Sequence, residues 1–149
     1  MGFILTSQNI DKNLQDLQTQ TSLQISDKQK ISSTRYWLKT DGEGRGLIIL
    51  SKTFNPQWKL LPAVSPKELS GNLFDDLKLL KRLSLDEENH YVVNGYANLW
   101  KVDEGNEYAI LYLPQVIADI GAGISKLSAS LVLGIAFILI FKKYVKKIF

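Results

Sequence analysis

The chain changes character toward its C-terminus. Residues Ile117–Phe141 read IADIGAGISKLSASLVLGIAFILIF, and the stretch from Leu127 to Phe141 carries no charge. Upstream, apolar residues come in short bursts separated by polar and turn-forming residues. A long apolar run without a polar stripe of helical period predicts a membrane-spanning helix rather than the core helix of a soluble protein. At 1.5 Å per residue, its roughly 25 residues extend about 37 Å, against a hydrocarbon core of about 30 Å. The uncharged part alone is too short to span, so the preceding turns must enter the membrane, with Lys126 snorkelling to the interface. Asp119 is expected outside, near the headgroups. Gly121, Gly123, Ser125, Ser128 and Ser130 are small, which suits close packing against another helix.

The upstream bursts predict strands. The first thirty residues are rich in Gln, Asn, Asp and Ser and read as an irregular entry or a weak helix, with a strand near Ser22–Ser26. Ile31–Lys39 has β-branched and aromatic residues, Gly46–Thr53 has a compact apolar run, and the turn residues Thr40–Arg45 between them predict a β-hairpin. Asn55-Pro56-Gln57 breaks the second strand, Trp58–Leu61 resumes it, and Pro62 and Pro66 mark a loop. Leucines at helical spacing predict a short surface helix over Leu73–Leu83. His90–Val102 and Glu107–Leu113 read as two more strands, joined as a second hairpin by Asp103-Glu104-Gly105-Asn106. Pro114 then ends the sheet and opens the final helix. Paired strands with no repeated helix between them predict an antiparallel β-sandwich, jelly-roll-like, over residues 1–113. A membrane-approach and transmembrane helix follows over 114–141, and a basic tail over 142–149.

Composition refines this picture. An apolar content of 45% and a charged content of 22% match a soluble globular average, but only because the two halves are averaged together. The net charge of +3 is equally misleading: residues 1–112 hold 13 Lys/Arg against 14 Asp/Glu, so the basicity sits in Lys142, Lys143, Lys146 and Lys147. No basic face is implied for the domain, and nucleic acid is not an expected partner. The four lysines follow the span directly, so the positive-inside rule puts the C-terminus in the cytoplasm and the β-domain outside a cell membrane crossed once. The opposite, tail-anchored orientation would translocate four lysines. The N-terminus has neither the apolar run nor the basic region of a signal peptide. Export of the domain is therefore expected to depend on earlier spans, with this chain the C-terminal piece of a larger multi-pass protein.

Candidate chemistry is sparse. There is no cysteine, which excludes disulfides, thiolate catalysis and cysteine-ligated zinc. His90 is the only histidine, and no Ser-His-Asp arrangement is recognisable around it. Asp75-Asp76 and Asp86-Glu87-Glu88 are paired carboxylates of the kind used in glycoside hydrolysis, but they flank a leucine run and read as helix-terminal or solvated charge. Asp41 and Glu43 lack the ligand count of a calcium loop. No catalytic residue, metal or cofactor is assigned. The aromatics say more. Trp37, Trp58, Trp100, Tyr91, Tyr96, Tyr108 and Tyr112 fall on or beside predicted strands, where most are expected to fill the core. Trp58 and Tyr96 lie beside turns. With the amides of Asn94 and Asn98 they are the candidate glycan contacts, since rings stack on sugar C–H faces while amides bond hydroxyls.

Two segments carry a family resemblance when read together. LIILSKTFNPQWKLLP contains an Asn-Pro-x-Trp turn between strands, formed by Phe54, Asn55, Pro56 and Trp58. HYVVNGYANLWKVDEGNEYAILYLPQ contains Asn94, Gly95, Tyr96, Asn98 and Trp100, then a turn and a strand ending in Pro-Gln. The combination, placed before a terminal membrane helix, resembles the extracytoplasmic C-terminal module of bacterial multi-pass glycosyltransferases of the GT-C-like type, the YfhO-like proteins and the arabinofuranosyltransferases. It covers roughly residues 34–141, and Gln57 stands where that pattern has a glycine. The resemblance implies an accessory domain in cell-envelope glycan synthesis, beside a catalytic region that this chain does not contain. Its implied partners are the lipid bilayer, other transmembrane helices and envelope glycan. A different class of function is a non-enzymatic, single-span surface protein whose β-sandwich binds a protein or glycan.

Overall fold

Two antiparallel sheets organise the computed structural model, which describes residues 23–42, 44–83, 90–102 and 106–148. One has four strands, β1 (Gln24–Lys30), β2 (Arg35–Asp41), β4 (Trp58–Pro62) and β7 (Glu107–Tyr112), in the order β1-β2-β7-β4. The other has β3 (Gly46–Leu50), β5 (His90–Val93) and β6 (Ala97–Val102), in the order β3-β6-β5. A single 3₁₀ turn (Pro66–Leu69) and helix α1 (Leu73–Leu83) follow β4, and helix α2 (Leu113–Ile148) follows β7.

The central strands β2 and β7 are buried on both faces, which explains the nearly unbroken apolar sequence of β7 and the run Tyr36-Trp37-Leu38 in β2. Tyr36, Leu38, Tyr108 and Ile110 meet Ile48, Leu50, Trp100 and Val102 of the smaller sheet in one core cluster. The alternate residues Trp37, Ala109 and Leu111 face the other way, onto Val64, Leu69, Leu79, Val116 and Ile120. The larger sheet is thus covered by the smaller sheet on one side and by helices on the other. β1 is an edge strand, mostly exposed, and its sequence QISDKQK carries the charge that discourages edge-to-edge pairing.

Both predicted hairpins are corrected. β2 pairs with β1 and β7, whereas β3 pairs with β6, so the Asp41–Arg45 connection crosses between sheets. Likewise β6 and β7 belong to different sheets. His90–Val102 is two strands, not one: Asn94 and Gly95 both adopt positive φ (53° and 72°), and the Tyr96 N–H donates to the Val93 carbonyl, closing a tight hairpin. Turn-forming residues show where the chain reverses or leaves a sheet; they do not say which strand the next one joins. The strand expected near Ser22–Ser26 is β1, while residues 1–22 and the acidic triplet 86–88 lie outside the described residues, as does Glu43.

Helix α1 has the predicted bounds. Asn72 caps it, its side-chain oxygen accepting from the Asp75 N–H at 2.9 Å. Its inner face packs on α2 in antiparallel fashion. Leu73 lies against Gly123, where a Cβ would come within 3.0 Å of the Leu73 Cβ. The small residue predicted for close helix packing therefore serves the chain's own surface helix. One turn along, Arg35 of β2 joins both helices. Its guanidinium binds Asp76 of α1 through Nη1 (2.6 Å) and Nη2 (2.9 Å), and Asp119 of α2 through Nη2 (2.6 Å). The side chains of Arg35 and Asp76 are only 4% and 0% exposed. Burial works against the Arg35 charge, yet the hydrogen bonds and charges of the two carboxylates outweigh it and hold its pKa above the ordinary value.

Beyond Gly123 the character of α2 changes. Its first turns place Val116 and Ile120 in the helix-side core, whereas Ile124, Leu127 and the large apolar residues from Leu131 to Phe141 are exposed. Among the described residues this is the one helix long and apolar enough to cross a membrane, and its most apolar stretch is wholly unburied. The hydroxyls of Ser125, Ser128 and Ser130 donate to the carbonyls four residues earlier, so they bring no unsatisfied polarity to this apolar helix. Lys142 and Lys143 are exposed at its far end.

Removing one partner of a buried ion pair leaves the other charge uncompensated, at a cost of about 3–5 kcal/mol. Asp119 still holds Nη2, so Asp76→Ala, which removes the bidentate partner, is expected to destabilise the domain by about 3 kcal/mol, the lower end of that range, in denaturant unfolding of the detergent-solubilised chain. A loss below about 1 kcal/mol, typical of exposed pairs, would show that Arg35 is not held as described.

Candidate functional site

The two motif segments meet in space. The loop after β3 is drawn onto the β5–β6 hairpin by one buried side chain, Asn98. Its Nδ2 donates to the carbonyls of Lys52 (2.9 Å) and Thr53 (3.4 Å), and its Oδ1 accepts from the Asn55 N–H (3.2 Å). The Phe54 N–H donates to the Tyr96 carbonyl. Asn55 then builds the turn: its Oδ1 accepts from the Gln57 N–H at 2.8 Å and its carbonyl from the Trp58 N–H at 3.0 Å. The chain enters β4 with Trp58 opposite Tyr112.

Asn98 also fixes His90. Because Nδ2 is committed to two carbonyls, Oδ1 is the atom 3.0 Å from His90 Nε2, and the imidazole must carry its proton there. The ring lies flat on Trp100 (centroids 4.6 Å apart, 6° between planes) and contacts Phe54 at 4.9 Å. Burial is the largest influence on His90 and lowers its pKa from the ordinary 6.5; the Asn98 bond opposes this, and the charge of Lys59 adds to the lowering. From the sequence His90 reads as a structural or surface histidine; the aromatic stack and the buried amide that hold it are announced by no local pattern.

Two clefts flank this cluster. A cavity of about 470 Å³ opens between β4 and the smaller sheet, lined by Phe54, Trp58, Lys59, His90, Trp100 and Tyr108 among others. A shallower one of about 630 Å³ is lined by Ser33, Thr34, Ser51, Thr53, Phe54, Tyr96 and Tyr112, with Lys52, Asn55 and Trp58. The Lys52 ammonium lies 5.8 Å from the Trp58 ring centroid and 6.0 Å from that of Tyr36.

The predicted contact residues take different places. Tyr96 is 54% exposed at the rim of the shallower cleft. Trp58 is not a surface residue: it is 6% exposed and packed beside Tyr36 and Tyr112, although it lines both clefts. Its position beside a turn suggested exposure, but the turn folds back over the core. Asn98 is fully buried as the clamp just described, and Asn94 sits exposed on the hairpin turn, outside both linings. Gly95 supplies the turn and Trp100 the stack, while Phe54, Asn55 and Pro56 form the loop.

Of the paired carboxylates, Asp75 accepts from Ser70 and Asn72 at the start of α1 and Asp76 binds Arg35, so neither is placed for acid–base chemistry. Among the described residues no group of three or more His, Asp or Glu could hold a metal. Comparison with known families, curated proteins and solved structures finds no match to this chain.

A histidine whose folded pKa is depressed binds its proton more readily in the unfolded chain. Its contribution to stability is complete above pH 6.5 and is lost as pH falls through the folded value. The melting temperature is therefore expected to fall between pH 7.5 and 5.5, and His90→Gln to flatten that fall. An unchanged slope in the variant would refute the assignment.

Proposed function

We propose that this chain is a membrane-anchored extracytoplasmic accessory module: a jelly-roll-like β-sandwich held at the bilayer by α2, serving a membrane glycosyltransferase in cell-envelope glycan synthesis. The observation that carries the reading is the continuity of α2. It starts within the domain's core and emerges as an unburied apolar helix, so domain and anchor are one piece. The lysines from Lys142 to Lys147 support a cytoplasmic C-terminus. The link to glycan synthesis draws on the motif resemblance and on the chemistry of the shallower cleft. Its lining of Ser, Thr and Tyr residues, with the exposed Tyr96, suits a ligand that has both polar groups and apolar faces. Other transmembrane helices are the proposed neighbours of the span, because its exposed surface includes Gly134, where nothing lies within 4 Å of a Cβ.

A second reading draws on the smaller sheet. β5 is an edge strand that exposes Tyr91 and Val92 beside Tyr96, an arrangement suited to adding a strand from a protein partner.

The chain has no cysteine, so single-cysteine variants report one site each. In intact cells a membrane-impermeant maleimide is expected to label Tyr96→Cys and to spare Lys143→Cys. Fragments of envelope glycan are expected to slow the labelling at position 96 severalfold. The reverse labelling pattern would contradict the orientation. Normal orientation without glycan protection would discard the sugar reading in favour of the protein partner.

A further inference from the structure

The packing of α1 on α2 fixes where the domain meets the bilayer. A hydrocarbon core of about 30 Å takes roughly 20 helical residues. Counted back from Phe141, the residue before Lys142, such a span begins near Ala122. Gly123 is in contact with Leu73, so the first turn of α1 lies at the level where α2 enters the hydrocarbon. The ion pair of Asp76 and Asp119 with Arg35 lies one turn further from the membrane. Sequence numbers rise along α1 as they fall along α2, so α1 points its N-terminal end at the bilayer.

Phe74 occupies that end and is 71% exposed. Side chains of a helix tilt toward its N-terminus, which here is toward the membrane. Leu77 one turn above it and Ile124 on α2 are exposed near the same level. Single exposed apolar residues are ordinary on a soluble surface. These differ in lying where α1 packs, through Leu73 on Gly123, beside the start of the unburied apolar stretch of α2. The polar groups around them, Ser70, Asn72 and the Asp75–Lys78 pair (3.8 Å), suit hydrated headgroups.

We infer that the first turn of α1 is seated at the boundary between lipid headgroups and hydrocarbon, with Phe74 as its apolar anchor. The domain then rests on the bilayer instead of standing off on a stalk. The occupant of this face is phospholipid, because the Leu73–Gly123 contact places it at the level where the unburied apolar stretch of α2 begins. The inference rests on α2 being a membrane helix, and the test separates the two claims. In the full chain, reconstituted into phosphatidylcholine bilayers, an environment-sensitive fluorophore is attached to Phe74→Cys, to Leu133→Cys in the span, or to Lys81→Cys. Lys81 lies about 10 Å further from the bilayer along α1. Lipids brominated near the headgroup end of the chain are expected to quench the probe at 74 severalfold and to leave position 81 unaffected. Position 133 should be quenched by bromines deeper in the acyl chain. Quenching at 133 with a water-like spectrum at 74 would overturn the seating and leave the anchor intact. A blue-shifted but unquenched probe at 74 would also overturn it, showing that protein covers this face. No quenching at 133 would remove the membrane helix and the inference together.

Discussion

Arg35 is withdrawn from water at the junction of β2, α1 and α2, and the fold around it follows from what that withdrawal demands. A guanidinium can be buried only if anionic partners surround it, and no single element here supplies enough of them. Asp76 comes from α1 and binds both terminal nitrogens; Asp119 comes from α2, 84 residues away in sequence, and shares one of them. The planar, forked geometry of arginine then fixes directions as well as distances. With Leu73 pressed on Gly123 a turn away, α1 and α2 are held at two levels, which prevents sliding as well as separation. An apolar contact alone would hold the helices together without setting their register so narrowly.

This junction gives α2 two roles within one continuous helix. Its first turns complete the core over the outer face of the larger sheet, through Val116 and Ile120. The remainder is apolar on its exposed surface. The apolar helix is therefore joined to the domain core without an intervening linker, and Asp119 ties it to β2 through Arg35. Asn98 has a comparable part at the other side of the domain, where one amide, with its hydrogen-bonding groups all engaged, ties the loop before β4 to the β5–β6 hairpin. Both devices place a buried polar group where separate segments must converge.

Much of the local structure could be read from the chain. The run LVLGIAFILIF identified the apolar helix, the leucine spacing gave both ends of α1, and the apolar bursts located the strands. The pairing of those strands could not be read locally: Thr40–Arg45 looks the same whether the next strand turns back or crosses to the opposite sheet. The Asn94-Gly95 step was the exception, a strong hairpin signal inside a segment whose β-branched and aromatic residues otherwise suggest one long strand. The Arg35 junction also left a faint trace. Arg35 alternates with Trp37 on the same face of a strand whose neighbours are apolar, so a buried charge required partners somewhere in the chain. Identifying them as Asp76 and Asp119 needed tertiary structure. The candidate site was legible as two motifs, but the burial of Trp58 and the stacking of His90 depend on how the loop between β3 and β4 folds back.

The account turns on the domain and the apolar helix moving as one body. The direct measurement is the distance distribution between spin labels at Lys39→Cys on β2 and Leu133→Cys on α2, recorded by pulsed electron spin resonance with the chain in lipid nanodiscs. A single narrow distribution is expected, broadening when Asp119→Ala is added. A broad distribution in the parent chain, or a narrow one indifferent to Asp119→Ala, would contradict the claim that the Arg35 junction sets the attitude of the domain.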